Sequence, residues 1–408
     1  LRDPVRPVVL VPVYFGYERI VEANTYISEL SGAPKKKESW WDLLTSFRVL
    51  RERFGNVHVN VGEPIRLNDL LDASLPNWRG QRFDDDTRLP AVNALVSELA
   101  VNIMRGINAA AAVTPINLLA TALLASPRGA LPESALLRQI DLYIRLLRAH
   151  PYGPRITVTD ATPEEIVVYG EALKIISRVS HKLGDVVKMS DESAQLIAYY
   201  RNNTLHLFAL PSLVACAFIG NSVLRTEDIQ RLAWRIYPYV ASELFLRWRE
   251  EELAGVIDAV LAALGEQGVL QPDENRTAWM RPAPDSPGAM QLSMLAQATI
   301  QTIERYYLAI SLLLKAGSGV MTQKALEQQC QLAAQRMNML YGFNSPEFFD
   351  RVLFENFIDL LRERGVLKAG DGGKLGVGQV LVRVAAGALQ LRGGGAQRAA
   401  LEPMKRGA

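Results

Sequence analysis

The sequence has 408 residues, 45 basic against 43 acidic side chains, a net charge of +2 and 49% hydrophobic residues. That length suits two or three domains with ordinary cores, and the near-cancelling charge gives no general electrostatic case for nucleic acid as a partner. The two cysteines, Cys216 and Cys330, are far apart in apolar helical surroundings, which fits buried free thiols in a reducing compartment, and no Cys/His set has metal-ligand spacing.

The chain opens on Pro-Val-Val-Leu-Val-Pro-Val, Pro7 to Val13. A continuous Val-rich run predicts a central strand covered on both faces, with Pro12 marking its exit toward a loop, where ligands bind in open α/β sheets. Tyr14 to Glu18 then turns into a helix with Ile20, Ala23, Ile27 and Leu30 on one side, stopped by Gly32. Lys35, Lys36 and Lys37 follow between one helix end and the next helix start. Such a cluster can hold a phosphate; read as a bare charge run it is a solvated loop. Ser39 caps a second helix with Trp40, Leu43, Leu44, Phe47, Leu50 and Phe54 on its apolar face. Val57, Val59 and Val61 alternate with His58 and Asn60, a strand with one wetter face, and with no carboxylate near it in sequence His58 reads as structural.

VPVYFGYERI, GAPKKKES and VNVGEPIRL, in that order and spacing, resemble the later part of the acyltransferase domain of the large, membrane-associated bacterial glycerol-3-phosphate O-acyltransferase family. The resemblance continues through Leu118–Ser126, Tyr199–Asn203, Leu210–Leu213, Glu243–Trp248 and Pro346–Asp350, covering roughly residues 1 to 370. It implies that Val11, Pro12 and Val13 form the family's fourth acyltransferase motif, lining the reaction cavity, and that Lys35 and Lys37 bind the substrate phosphate. It also implies a histidine general base oriented by an aspartate five residues later, with a downstream Phe-x-Glu-Gly segment. None of His58, His150, His181 or His206 has an aspartate five residues on, and Glu-Gly is absent from the sequence. The expectation is a C-terminal portion of a longer enzyme, with no catalytic residue of its own and inactive alone.

Residues 72 to 90 form a polar connector. Its Asp84-Asp85-Asp86 triplet is a solvated loop unless other ligand types join it to make a metal site. A helix follows from Pro90 with Val92, Leu95, Val96, Leu99, Ile103 and Ile107 on one face. Beyond Thr114-Pro115 a weak repeat appears, in which an apolar helix ends in a small-residue turn and a second helix opens: Ala125 to Glu133, Gly220 to Asp228 and Ala316 to Leu326. Val256-Ile257-Asp258 leads to Gly268-Val269-Leu270 as Phe357-Ile358-Asp359 leads to Gly365-Val366-Leu367. The pattern predicts winged-helix-like units, repeated three times. Gln323 to Met337 carries only Lys324 and Arg336 as basic residues, so packing is the expected use of that helix and groove reading is not. Pro272 to Gly288 reads as an exposed wing or linker. Tyr199-Tyr200-Arg201-Asn202-Asn203 is expected to brace the helical region against the acyltransferase part, with Arg201 at its centre.

The expected fold is therefore mainly α with an α/β start. Residues 1–113 end an acyltransferase domain, 114–370 form a helical domain with helix-turn-helix/wing units, and 371–408 are a flexible basic tail. The longest apolar run, Leu205 to Ile219, contains His206 and Pro211 and falls short of the roughly 20 residues needed to span a bilayer. By resemblance the enzyme moves an acyl group from acyl carrier protein or acyl-CoA to the sn-1 hydroxyl of glycerol 3-phosphate, giving lysophosphatidate in phospholipid synthesis. It would work without metal, cofactor or nucleic acid, peripherally on the cytoplasmic face of the bacterial inner membrane. The competing reading is a non-catalytic helical interaction module or pseudo-enzyme.

Overall fold

The computed structural model describes residues 7–20, 53–75, 78–80, 90–126, 128–190, 196–341, 346–378 and 381. Its first part holds short strands β1 (Val9–Leu10), β2 (Val13–Tyr17), β3 (Val57–Val61) and β4 (Ile65–Arg66), then α1 (Leu67–Ser74) and α2 (Pro90–Asn108). Among the described residues β1 pairs only with β4 and β2 only with β3, both antiparallel. The expected central strand from Val8 to Val13 is thus two strands broken at Val11-Pro12, and Val8, Val9 and Val11 are 40%, 46% and 47% exposed. Proline supplies no donor to a ladder, so the pairing changes partner there. The Pro12 carbonyl accepts from Gly62 N at 2.8 Å, and its ring lies so close to α2 that a Cβ on Gly106 would come within 2.6 Å of Pro12 Cγ. Tyr14 to Tyr17, expected to turn into a helix, extends β2 instead. The predicted elements of residues 21–52 and the Asp84–Asp86 triplet lie outside the described residues.

The β2–β3 ribbon also inverts the expected faces. Its outer face carries Phe15 beside Val59, Val13 beside Val61 and Tyr17 beside Val57, with the three β3 valines 56%, 53% and 52% exposed. The inward face presents Tyr14, His58 and Asn60, whose amide donates to Thr157 Oγ1 at 3.0 Å.

After β5 (Ala112–Val113), Thr114 caps α3 (Pro115–Leu124): its hydroxyl accepts from Asn117 N while Asn117 Oδ1 accepts from Thr114 N, and Pro115 occupies the first turn. Then come β6 (Ala130–Pro132), α4 (Glu133–Ala149), β7 (Thr157–Val158), α5 (Pro163–Ala172), β8 (Ile176–Val179) and β9 (Val186–Met189). α6 (Ile197–Asn202) leads to α7 (Leu205–Ala217), β10 (Val223–Arg225), α8 (Thr226–Glu243), α9 (Leu253–Glu266), β11 (Gln271–Pro272) and β12 (Ala278–Met280). The 30-residue α10 (Pro287–Ala316), α11 (Gln323–Tyr341), α12 (Arg351–Glu363), β13 (Leu367–Ala369) and β14 (Leu375–Val377) complete the order.

One strand order recurs. In β6–β9–β8 and β10–β12–β11, the first strand pairs with the last strand, which also pairs with the middle one. The third set matches: Thr322 bridges Lys374, beside the β13–β14 pair. Two helices precede each hairpin, and the second ends alike each time. Ile175 N donates to Gly170 O, Val269 N to Leu264 O and Val366 N to Leu361 O, at 3.0, 2.9 and 2.9 Å. The residue before each donor is left-handed, at φ 59° for Lys174, 69° for Gly268 and 67° for Gly365. The third hairpin turns through Gly372 and Gly373, both at positive φ, so ordered chain continues past residue 370 into β14. Those glycines, expected to begin a flexible tail, make a tight turn.

A single hydrophobic cluster runs from Val113 to Leu381. α7 is its axis: every residue but Pro211 is buried, as a helix apolar all round requires. Ser212 Oγ donates to Ala296 O of α10 at 3.0 Å and accepts from Thr299 N at 3.0 Å, so the polar atoms on this contact are satisfied. Two small clusters lie apart from it, Tyr14 with Ala110–Ala112, and Leu71 with Trp78 and Leu95. Among the described residues no helix is long and apolar enough to cross a membrane.

Candidate functional site

The polar residues gather where β2 ends and β3 begins. Glu18 is buried, and its Oε2 accepts from Asn56 N at 2.6 Å and from the Tyr169 hydroxyl of α5 at 2.5 Å. His58 Nε2 lies 3.5 Å from Glu18 Oε1. A buried carboxylate needs such partners, because desolvation without compensation costs several kcal/mol. The cluster leaves no room for a side chain at residue 55: Gly55 sits at φ 72°, and a Cβ there would fall 2.6 Å from Glu18 Oε2. Burial, then the Glu18 carboxylate beside it, pushes the Tyr169 phenol well above its ordinary value.

The same cluster closes the base of the segment carrying Lys35 and Lys37. Glu18 N donates to Asn56 O at 3.3 Å, Arg19 Nη1 to Arg53 O at 3.2 Å, and the Arg19 guanidinium lies over the Phe54 ring. Ile20 N donates to the Tyr200 hydroxyl at 3.2 Å. Lys35 and Lys37 themselves lie outside the described residues. Of the expected motif, Pro12 is buried against Gly62 and Gly106 while Val11 is exposed and Val13 half-buried; no polar group of the Glu18 cluster contacts them. Chemically, the arrangement fixes both ends of the segment and presents an imidazole beside a buried carboxylate. No group of three potential metal ligands occurs among the described residues.

The Glu18–His58 approach was invisible to sequence reasoning because the two residues sit on different strands. Register pairs Gly16 with His58, and that pairing places the carboxylate of the neighbouring strand end within reach. The Tyr199–Asn203 segment divides its contacts. Tyr200 reaches Ile20, and its carbonyl accepts from Asn117 at 2.7 Å. Among the described residues Arg201 makes no side-chain bond to the α/β part: its guanidinium pairs with Glu347, in the short turn Pro346–Phe349 before α12, and bonds Asn202 Oδ1 at 2.9 Å. That correction follows from burial, since a 4%-exposed guanidinium needs a carboxylate and Glu347 supplies it.

Comparison with known proteins adds a family. The profile described as "Glycerol-3-phosphate acyltransferase C-terminal region" matches residues 26–370. Curated proteins named glycerol-3-phosphate acyltransferase are similar over nearly the whole chain. One from Pseudomonas aeruginosa (strain UCBPP-PA14) is 45% identical over 388 residues, covering 95% of this chain and 46% of the relative. Those of Pseudomonas fluorescens (strain SBW25) and Pseudomonas putida (strain GB-1) are 43% identical, with the same 95% and 46% coverage. The chain spans about half the length of the curated relatives it matches. It belongs to the glycerol-3-phosphate acyltransferase C-terminal region family.

Proposed function

We propose that the chain works as the C-terminal part of a glycerol-3-phosphate O-acyltransferase, which moves an acyl group from acyl carrier protein or acyl-CoA to the sn-1 hydroxyl of glycerol 3-phosphate and yields lysophosphatidate. The observation that carries this reading is the 45% identity over 95% of the chain to proteins bearing that name. No residue of this chain is assigned the proton transfer, because no histidine here is followed by an aspartate at the family's spacing. The role assigned to residues 1–113 is positional. Val11, Pro12 and Val13 line the reaction cavity, and Lys35 and Lys37 hold the substrate phosphate on a segment whose base is closed by Glu18, Asn56, Tyr169 and Tyr200. The body from residue 114 is read as three winged-helix-like units that serve as a rigid support; the repeated strand order favours this reading. The membrane contact is peripheral, at the cytoplasmic face of the inner membrane.

A chimera tests the proposal. This chain replaces the corresponding half of the Pseudomonas aeruginosa relative, and conversion of radiolabelled glycerol 3-phosphate to lysophosphatidate is measured. The chimera should form product, and the 408-residue chain alone should form none above a no-protein control. Lys35→Met or Lys37→Met in the chimera should raise KM for glycerol 3-phosphate and leave that for the acyl donor unchanged, with a roughly ten- to hundredfold loss in kcat/KM. A folded chimera without activity contradicts the proposal, and equal effects on both substrates remove the lysines from the phosphate site.

A further inference from the structure

A second site lies away from the Glu18 cluster, in a cleft of about 480 Å³ between α2, the C-terminal end of α8 and the chain from Phe245 to Glu251. Its size falls within the range of about 300–1,000 Å³ typical of small-molecule sites. Three arginines reach it. Arg364, just after α12, is held by Glu250 through two bonds of 2.8 and 3.2 Å. Among the described residues Arg105 is held through Nε alone, which donates to Leu246 O at 3.0 Å, and neither Arg105 nor Arg249 has a carboxylate partner. Three guanidiniums against the carboxylates of Glu250 and Glu251 leave the lining at +1.

The opposite wall is aromatic and fixed. Tyr237 donates to Trp248 O at 2.7 Å, and the Trp248 ring meets Tyr152 edge-on at 4.7 Å. Phe245 ends α8 in the left-handed region at φ 49°, with Leu246 N donating back to Ala241 O at 3.0 Å. That is a helix-end position where glycine costs least, as Gly268 and Gly365 illustrate. A phenylalanine there places a ring on the cleft wall at a backbone cost that the fold alone does not require. Guanidiniums beside aromatic faces suit a ligand with one planar or apolar end and one anionic end that accepts several N–H donors.

We propose that this cleft binds a phosphate ester with an apolar or planar body. Two sources share that chemistry: a free organic phosphate and an anionic lipid headgroup. The site is independent of the acyl-transfer reading, since none of its residues belongs to the Glu18 cluster or to residues 11–13 and 35–37.

The test uses the 408-residue chain in equilibrium dialysis against phenyl phosphate, and in co-sedimentation with phosphatidylcholine vesicles with and without phosphatidate. Saturable binding is expected, weakened roughly tenfold by Arg249→Gln and by Arg105→Gln, strengthened by Glu251→Gln, and unchanged by Arg231→Gln, an α8 arginine outside the cleft. Uptake of phenyl phosphate without vesicle binding assigns a free ester; phosphatidate-dependent, Arg249-sensitive sedimentation assigns a headgroup. Absence of saturable binding to either probe overturns the proposal, as does binding indifferent to both Arg249→Gln and Glu251→Gln. Those two side chains are exposed and their removal leaves the fold intact, so they decide the matter even where Arg105→Gln unfolds the chain.

Discussion

Residues 114–378 and the α/β part before them use the same apolar residue types to opposite effect. In the helical body, α7 and the middle of α10 hide nearly every side chain, and one cluster links all three repeated units. In the first part the β3 valines stand more than half exposed, and α2 buries Leu95 alone. Burial needs a facing surface, not only an apolar residue. The helical body finds its surfaces within itself, through Ser212–Ala296 and the helix pairs around α7. The outer face of β2–β3 has no such surface among the described residues, and its stability should respond to substitution accordingly.

The largest expected contrast is electrostatic. Arg305 of α10 is 1% exposed, pairs with Glu243, and donates to Glu347 O at 3.2 Å. Arg305→Met strands a largely buried carboxylate and should cost about 3–5 kcal/mol in urea denaturation. Arg155→Met, which breaks the exposed Arg155–Glu63 pair joining the two parts, should cost less than about 1 kcal/mol. Comparable losses would erase the distinction. Next comes packing: Leu136→Ala, at a fully buried site of α4, should cost about 2–5 kcal/mol, whereas Val59→Ala should cost about 0.5 kcal/mol.

Acid sharpens the comparison from another side. His206 of α7 lies 3.0 Å from Asn108 O, the last residue of α2, and burial pushes its imidazole down to about 4 from an ordinary 6.5. Between those values the unfolded chain binds a proton that the folded chain refuses, so stability falls as pH drops from 6.5 toward 4. The full loss is on the order of 3 kcal/mol. His206→Gln should flatten that part of the pH–stability curve; an unchanged slope would place the acid sensitivity elsewhere. The last effect is local: Lys174→Gly should stabilise by about 1 kcal/mol, relieving a left-handed lysine where the other two units carry glycine.

That lysine also explains what could be read from sequence. The repeat ends at Gly268-Val269 and Gly365-Val366 stood out because glycine marks the helix end, while the first unit hid the same turn under Lys174-Ile175. The Thr114–Asn117 cap of α3 shows only in the structure, whereas the start of α2 was legible at Pro90, because the apolar positions from Val92 keep helical spacing. The fate of β3 was not, because alternation of valine with His58 and Asn60 shows which residues share a face and not which face meets a partner. Pro12 does interrupt the ladder, but it leads into β2 and not into the expected loop, and the reading of a centrally buried strand failed with it, since a Val run looks the same whether or not helices cover it. The Glu18–His58–Tyr169 cluster and the Arg201–Glu347 pair are contacts between distant stretches, and no local pattern encodes them.

Native-state hydrogen exchange across the whole chain tests the contrast most directly. Amides of α7 and of Leu295–Leu313 in α10 should exchange only through global unfolding, while those of Val13–Tyr17 and Val57–Val61 should exchange through local opening at far lower free energy. Protection of β2 and β3 equal to that of α7 would contradict the account.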